Sequence, residues 1–313
     1  MPNELNALIA AVRAQPLAIM PEYLEAIEKI ATRALDAEVL ERLGSDGHEA
    51  RLAAAREAVA ATGTPLQGAR MSTTVRNGMA VVPMVGVISP RANLAQVSTG
   101  GTDLASIMHD LRVAWASTDV ERIVMVVDSP GGVVSGLGEA AEIMRAAPKP
   151  LTAFVTGIGA SAAYWLASQA NEIVMDRSAA VGSIGVIASM SRQEAPDQSG
   201  RRGFEVVSSG APLKRPDPST EEGQAAILRQ VDAIERVFVA DVAAGRKVSE
   251  ARVRADFGQG AMVDATSAIE AGMADSIGTL EGVLGKDSDK RRNYGADRRR
   301  AAANIEVRRR AAT

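Results

Sequence analysis

Ser161 stands in "GIGASAAYWLAS" (157–168), after an apolar run and before a stretch of helical composition. A serine in that position either caps the helix or presents its hydroxyl for reaction. Nucleophilic use requires a neighbour to take the proton, and the chain has few groups able to do so. It contains no cysteine and two histidines, His48 and His109. His109 falls off the apolar face of its expected helix and His48 lies in an N-terminal helical region. Both read as surface residues, so a Ser-His-Asp triad is not expected. A lysine can serve as the base instead. A lysine ammonium, ordinarily losing its proton near pH 10.4, must be destabilised by about 4 kcal/mol to do so near neutrality.

There are six lysines. Lys29 sits in the N-terminal helical region, Lys149 in an "APKP" turn, Lys247 after a long helix, and Lys286 and Lys290 in the C-terminal tail. Lys214, in "SSGAPLKRPDP", is left as the candidate base. Read singly, such a residue is more often a solvated loop lysine. Acyl transfer also needs backbone N–H groups for the developing oxyanion, and glycine-rich turns after strands supply them. "DSPGG" (128–132) and "GSIG" (182–185) are such turns, and each is also an ordinary tight connection.

The elements that must position these residues follow from apolar patterning. "MAVVPMVGVIS" (79–89), "RIVMVV" (122–127), "PLTAFVTG" (150–157) and "EIVM" (172–175) read as strands buried on both faces, alternating with helices at "GTDLASIMHDLRVAWAS" and "GLGEAAEIMRAA". "GSIGVIAS" and "FEVVSS" are further strand candidates. A long helix is expected from a capping box at Ser219 and Glu222, with Ile227, Val231, Ile234, Phe238 and Val242 as its buried stripe, stopping near Gly245. Two shorter helices follow, the second around "DATSAIEAG". The expected class is α/β with a parallel sheet.

At 313 residues, three parts are predicted: an N-terminal helical appendage (1–70), a body (71–285) and a basic, flexible tail (286–313) with ten Lys and Arg against four Asp and Glu. Pro21 suits a first helical turn in the appendage. A net charge of −3 gives no global attraction to nucleic acid or anionic membrane. The opening residues lack the order of an export signal, and no apolar run is long enough to span a membrane. A cytoplasmic protein without a membrane anchor is expected.

Taken in order, "VDSPGGVV", "TGIGASAAYWLASQANEIVM", "VGSIGVI" and a lysine about fifty residues after the serine resemble the signal-peptide-peptidase-A family of serine peptidases. The resemblance runs from about Val81 to Leu284 and includes "DATSAIEAGMADSIGT". It implies the Clp protease/crotonase-like fold of repeated β-β-α units. It further implies Ser161 as nucleophile, Lys214 as general base, Ser183 as the serine holding that lysine, and Gly131 and Gly132 with the Ala162 amide as the oxyanion hole. "GAPLKRPD" departs from the family's more usual aromatic-Lys pattern at the base. "PLAIMPEYLEAI" resembles the leader region of the soluble branch from tailed phages, the head maturation proteases, which cut scaffold and other head proteins within the procapsid. Protein substrates, a homo-oligomer, and neither metal nor organic cofactor are implied, in the bacterial host cytoplasm or inside the procapsid. The competing readings are a host-type soluble relative of the signal-peptide peptidases, a crotonase-like acyl-CoA enzyme and a non-catalytic capsid assembly scaffold.

Overall fold

The computed structural model describes residues 16–21, 63–91, 101–189 and 206–285. In chain order the strands begin with β1 (Leu17–Ile19), β2 (Thr64–Pro65), β3 (Thr74–Arg76), β4 (Met79–Val85), β5 (Ile88–Ser89) and β6 (Thr102–Asp103). Helix α1 (Leu104–Ala116), β7 (Arg122–Ser129), β8 (Gly131–Val133), α2 (Leu137–Arg145), β9 (Leu151–Ala160) and α3 (Ala162–Ala167) follow. The remainder is β10 (Glu172–Met175), β11 (Ala180–Gly182), a 3₁₀ turn at Pro212–Lys214, α4 (Glu221–Arg246), α5 (Glu250–Asp256), β12 (Met262–Asp264), α6 (Ala265–Ala271), β13 (Ser276–Ile277) and α7 (Leu280–Leu284).

The main sheet runs β12-β11-β9-β7-β4-β3-β2, with β10 beside β9 and β13 beside β10. Its centre, β4, β7 and β9, is parallel. Residues alternate between its two faces, as strand geometry requires. Ala80, Val82, Met84, Ile123, Met125 and Val127 join the large core under the helices, whereas Met79, Val81, Val124 and Val126 face a smaller cluster closed by Val283 and Leu284 of α7. Burial on both faces is the reason these strands are continuously apolar.

Strand β9 forks. Its first part pairs with β10 over Thr152–Val155, and its last three residues, Ile158–Ala160, pair in parallel with β11. The fork delivers Ser161 to the carboxyl end of the parallel strands, where open α/β sheets place their ligand sites. A second sheet, β1-β8-β5-β6, lies beside that end.

Several expectations are revised. The run 79–89 is two strands, because Gly86 at φ +73 breaks it. "DSPGG" is not only a turn: Gly131 at φ +98 redirects the chain into β8 of the second sheet. The strand expected in "GSIGVIAS" ends at Gly182, leaving a single bridge at Ile187. Val206–Ser208 of "FEVVSS" is not a strand, and Phe204 and Glu205 lie outside the described residues.

Helix α4 is capped by Thr220, whose hydroxyl accepts from the Gly223 amide, one residue beyond the expected Ser219. Its stripe is buried only in the second half, at Phe238, Val239, Val242 and Ala243; Ile227, Val231 and Ile234 stay half-exposed. Within the predicted helical appendage, Leu17–Ile19 is a strand and Thr64–Pro65 joins the sheet edge, while Pro21 is helical as expected. His48 and the 286–313 tail lie outside the described residues. Among those described, no helix is long and apolar enough to cross a membrane.

Candidate active site

Ser161 occupies the position before the first residue of α3, but it does not cap that helix with its side chain. Its backbone has φ 53 and ψ −117, a conformation that costs a non-glycine residue about 1–3 kcal/mol and that tends to persist where it exposes a functional group. Two backbone bonds hold it there: its amide donates to Gly182 O at 2.8 Å, and its carbonyl accepts from the Trp165 amide at 2.8 Å. The hydroxyl is buried and has no hydrogen-bond partner among the described residues. Two other buried serines are satisfied. Ser129 Oγ donates to Gly86 O at 2.6 Å and accepts from the Gly131 amide at 3.2 Å, and Ser168 Oγ donates to Trp165 O at 2.8 Å. Since buried hydroxyls are ordinarily paired, Ser161 is the exception that calls for a reason.

The small residues around it converge. A side chain on Gly131 would collide with the Ala18 carbonyl oxygen and stand 3.0 Å from both Ala160 O and Ala162 N. Gly131 therefore touches the two residues that flank Ser161, and only glycine fits there. A side chain on Gly132 would collide with Ile88 O, so this glycine serves the close approach of β8 to β5. Ser183 follows Gly182 with φ 53, is nearly buried at 8% exposure, and donates its amide to Ala261 O at 3.0 Å.

Helix α3 is wholly buried and rigidly seated. Trp165 stacks on Phe238 of α4 with ring centroids 4.4 Å apart, and its indole donates to Asp241 at 2.9 Å. Tyr164 donates to Met273 O at 2.9 Å, and burial raises its hydroxyl pKa well above the ordinary tyrosine value. Beside it, Arg246 of α4 makes a two-pronged ion pair with Asp275 at 3.0 and 2.9 Å. These contacts fix the helix that begins at Ser161.

The structure thus brings Ser161, Gly131 and Ala162 into one cluster, with Ser183 linked through Gly182. Lys214 is not among them: it lies exposed on the 3₁₀ turn, and its side chain makes no hydrogen bond to Ser161 Oγ. Lys149, set aside from the sequence, is committed elsewhere, donating to Ala114 O and Ser117 O at the end of α1. His109 is half-buried, its Nε2 2.9 Å from Gly68 O. Among the described residues no cluster of His, Asp or Glu is arranged to hold a metal ion.

Sequence reasoning missed three contributors. Asp128 lies at the strand end, where its carboxylate accepts from the Ile158 amide at 3.1 Å. Ser129 holds the Gly131 amide. Ala18, from a segment read as helical, lies against Gly131. The available signal for the last was the apolar "LAIM" bounded by Pro16 and Pro21, a short run punctuated by proline at both ends.

Residues 143–292 match the sequence model of Peptidase family S49, and residues 75–181 match that of Clp protease. Head-tail preconnector protein GP5 of Enterobacteria phage P21 is 27% identical over 88% of this chain and 56% of its own. Capsid assembly protease C of Escherichia phage lambda is 29% identical over 66% of this chain and 48% of its own. The chain spans about half the length of these two relatives. An enoyl-CoA hydratase from Shewanella pealeana overlays 67% of this chain and 69% of its own with a TM-score of 0.41 and 12% identity. The resemblance drawn from the motifs holds, and the α/β architecture with a parallel sheet is the one observed.

Proposed function

We propose, for a chain similar to the S49 peptidases, to a phage head-tail preconnector protein and to a phage capsid assembly protease, that it is a serine endopeptidase of phage head maturation, cutting scaffold and other head proteins. One observation carries the chemistry: the strained, buried and unpartnered hydroxyl of Ser161, beside the glycine notch at Gly131 and the Ala162 amide.

In this reading Ser161 Oγ attacks the carbonyl carbon of a peptide bond while its proton passes to the neutral amine of Lys214. The tetrahedral oxyanion is stabilised by backbone N–H groups of the Gly131–Gly132 segment and of Ala162. The carbon–nitrogen bond then breaks, the leaving amine takes the proton from Lys214, and an ester remains on Ser161. Water, deprotonated by the same amine, adds to the ester and releases the acid, restoring the hydroxyl. No step uses a metal or organic cofactor. Ser183 is assigned to hold the lysine amine, a role supported by its near-burial and its adjacency to the residue that holds the Ser161 amide.

For Lys214 to act, the 206–215 segment must close over the site and remove the amine from water. Val206 is 97% and Leu213 54% exposed, apolar surface that assembly of several copies would cover. We therefore extend the proposal to an active homo-oligomer.

The test mixes wild type and Ser161→Ala with candidate head proteins and maps new termini by mass spectrometry. Cuts made by wild type alone support the reading. Identical termini from both proteins would sink it.

A further inference from the structure

Strand β1 pairs with the strand that begins at the glycine notch beside Ser161. Leu17–Ile19 runs antiparallel to Gly131–Val133, pairing Leu17 with Val133, Ala18 with Gly132 and Ile19 with Gly131. The pairing continues past both ends: the Met20 amide donates to Pro130 O at 3.0 Å, and the Val134 amide donates to Pro16 O at 3.4 Å. On its other edge Leu17 exchanges both backbone bonds with Ile187, at 2.9 and 2.8 Å. The segment therefore fills a slot between the chain that follows "DSPGG" and the chain that follows "GSIG".

Its side chains sort by strand alternation. Leu17 and Ile19 point into a small apolar cluster with Val87, Val133 and Ile187, while Ala18 faces the main core that contains Ala162. All three are at most 3% exposed. The Ala18 carbonyl lies against Gly131, on the same spot that Ala160 O and Ala162 N border. Adding a strand in this way is how extended peptides are recognised: the backbone bonds hold the peptide, and pockets read alternate side chains. Ser161 is 1% exposed and its hydroxyl is fully covered, so no substrate carbonyl reaches it in this arrangement.

We infer that Pro16–Met20 is a resident pseudosubstrate strand, which blocks the peptide cleft beside Ser161 and is displaced by substrate. The inference rests on the peptidase reading of Ser161. It also specifies the occupant that the cleft accepts: an extended segment with a small residue facing the main core and large apolar residues on either side of it. Strand β1 is the terminal strand of the second sheet, so displacing it leaves β8 paired with β5 and the core in place.

Two full-length variants test this. Leu17→Pro removes the N–H that bonds to Ile187 O, and Ala18→Arg puts a long cation where no exposed surface exists. The rate at which a fluorophosphonate labels Ser161 is measured for each, together with hydrolysis of fluorescein-labelled casein. Labelling and casein cleavage should rise by about tenfold or more, because only the open fraction of wild type reacts. Acetyl-PLAIM-amide should then inhibit the variants competitively, with a weaker effect on wild type, whose cleft is already filled.

Equal labelling rates for wild type and both variants would overturn the inference and leave the peptidase reading intact. Absence of labelling in every form would instead remove the peptidase reading. A measurement that needs no β1 substitution is hydrogen exchange in Ser161→Ala. Added casein peptides should speed exchange at the Leu17 and Met20 amides, and unchanged or slower exchange there counts against displacement. A new terminus between residues 17 and 20 in wild type, absent from Ser161→Ala, would also overturn the inhibitor role, since the strand would then be a substrate.

Discussion

The amide of Ser161 donates to the carbonyl of Gly182 at 2.8 Å, tying the end of β9 to the end of β11. This bond joins the Ala160–Ser161 and Gly182–Ser183 segments, and Ser161 and Ser183 both have φ 53. The hydroxyl of Ser161 takes no part in holding it.

Ser161→Ala is therefore expected to fold at least as well as wild type. Removing a buried hydroxyl that has no partner breaks no bond and relieves a desolvated polar group, a stabilisation of about 1 kcal/mol. Urea denaturation measures this, with fluorophosphonate labelling run in parallel. The expected result is equal or greater stability with labelling abolished; a loss of more than about 2 kcal/mol would mean that the hydroxyl is structural.

Gly182→Ala should damage both fold and site. Gly182 has φ 132, and a Cβ there would collide with the Ala261 carbonyl oxygen, so β11 and β12 must part. The expected loss is about 1–3 kcal/mol, accompanied by slower labelling of Ser161, whose amide the Gly182 carbonyl holds. Unchanged labelling in a folded variant would show that this tie does not position the serine.

Asp275→Ala strands a buried cation. Arg246 is 4% exposed, and its guanidinium is held by Asp275, with Gly272 O taking its Nε–H at 3.1 Å. Loss of one partner of a buried pair costs about 3–5 kcal/mol. Asp275 also accepts the Ile173 amide at 2.8 Å, so the sheet edge at β10 should loosen with it. Thermal denaturation should show the drop, and hydrogen exchange should show faster exchange at Ile173.

Phe238→Ala removes the ring stacked on Trp165 and leaves a cavity under the helix that begins at Ser161. Core truncations of this size cost about 3–5 kcal/mol. Trp165 fluorescence should shift to longer wavelength as water approaches the indole, with labelling of Ser161 falling in the same variant. A Trp115→Phe background isolates the signal, since the chain has two tryptophans.

Asp264 gives a pH prediction. Its carboxylate caps α6, and hydrogen bonds from the Ser267 side chain, then from backbone amides, lower its pKa below the ordinary value of 3.8. A folded-state pKa below the unfolded one adds stability above the unfolded value, and that stability is lost as pH falls through the folded value. The stability difference between wild type and Asp264→Asn should therefore shrink as the pH is lowered through 3.8. A difference constant with pH would mean that the charge contributes nothing.

What was legible in the sequence was local. The strands at 122–127, 150–157 and 172–175 announced themselves because a sheet covered on both sides needs apolar residues without interruption. Ser161 was legible as a candidate because "GIGASAAY" keeps Cβ atoms away from one hydroxyl. The shift of the α4 cap from Ser219 to Thr220 was not legible, because adjacent hydroxyl residues offer the same chemistry and the preceding turn decides between them. The outward face at Ile227 and Val231 was likewise unreadable from spacing, since periodicity marks an apolar stripe but not what covers it.

The sequence by itself determined the α/β class, the serine and the glycine turns, since each depends on the shape and polarity of neighbouring residues. Only the tertiary structure decided that Gly131 meets Ala162, that the Ser161 hydroxyl is buried without a partner among the described residues, and that Leu17–Ile19 is a strand paired with Gly131–Val133. Those facts join residues 18, 131, 161 and 187 across separate elements. Contact at that range is set by how two sheets pack against α3, and local composition carries no record of it.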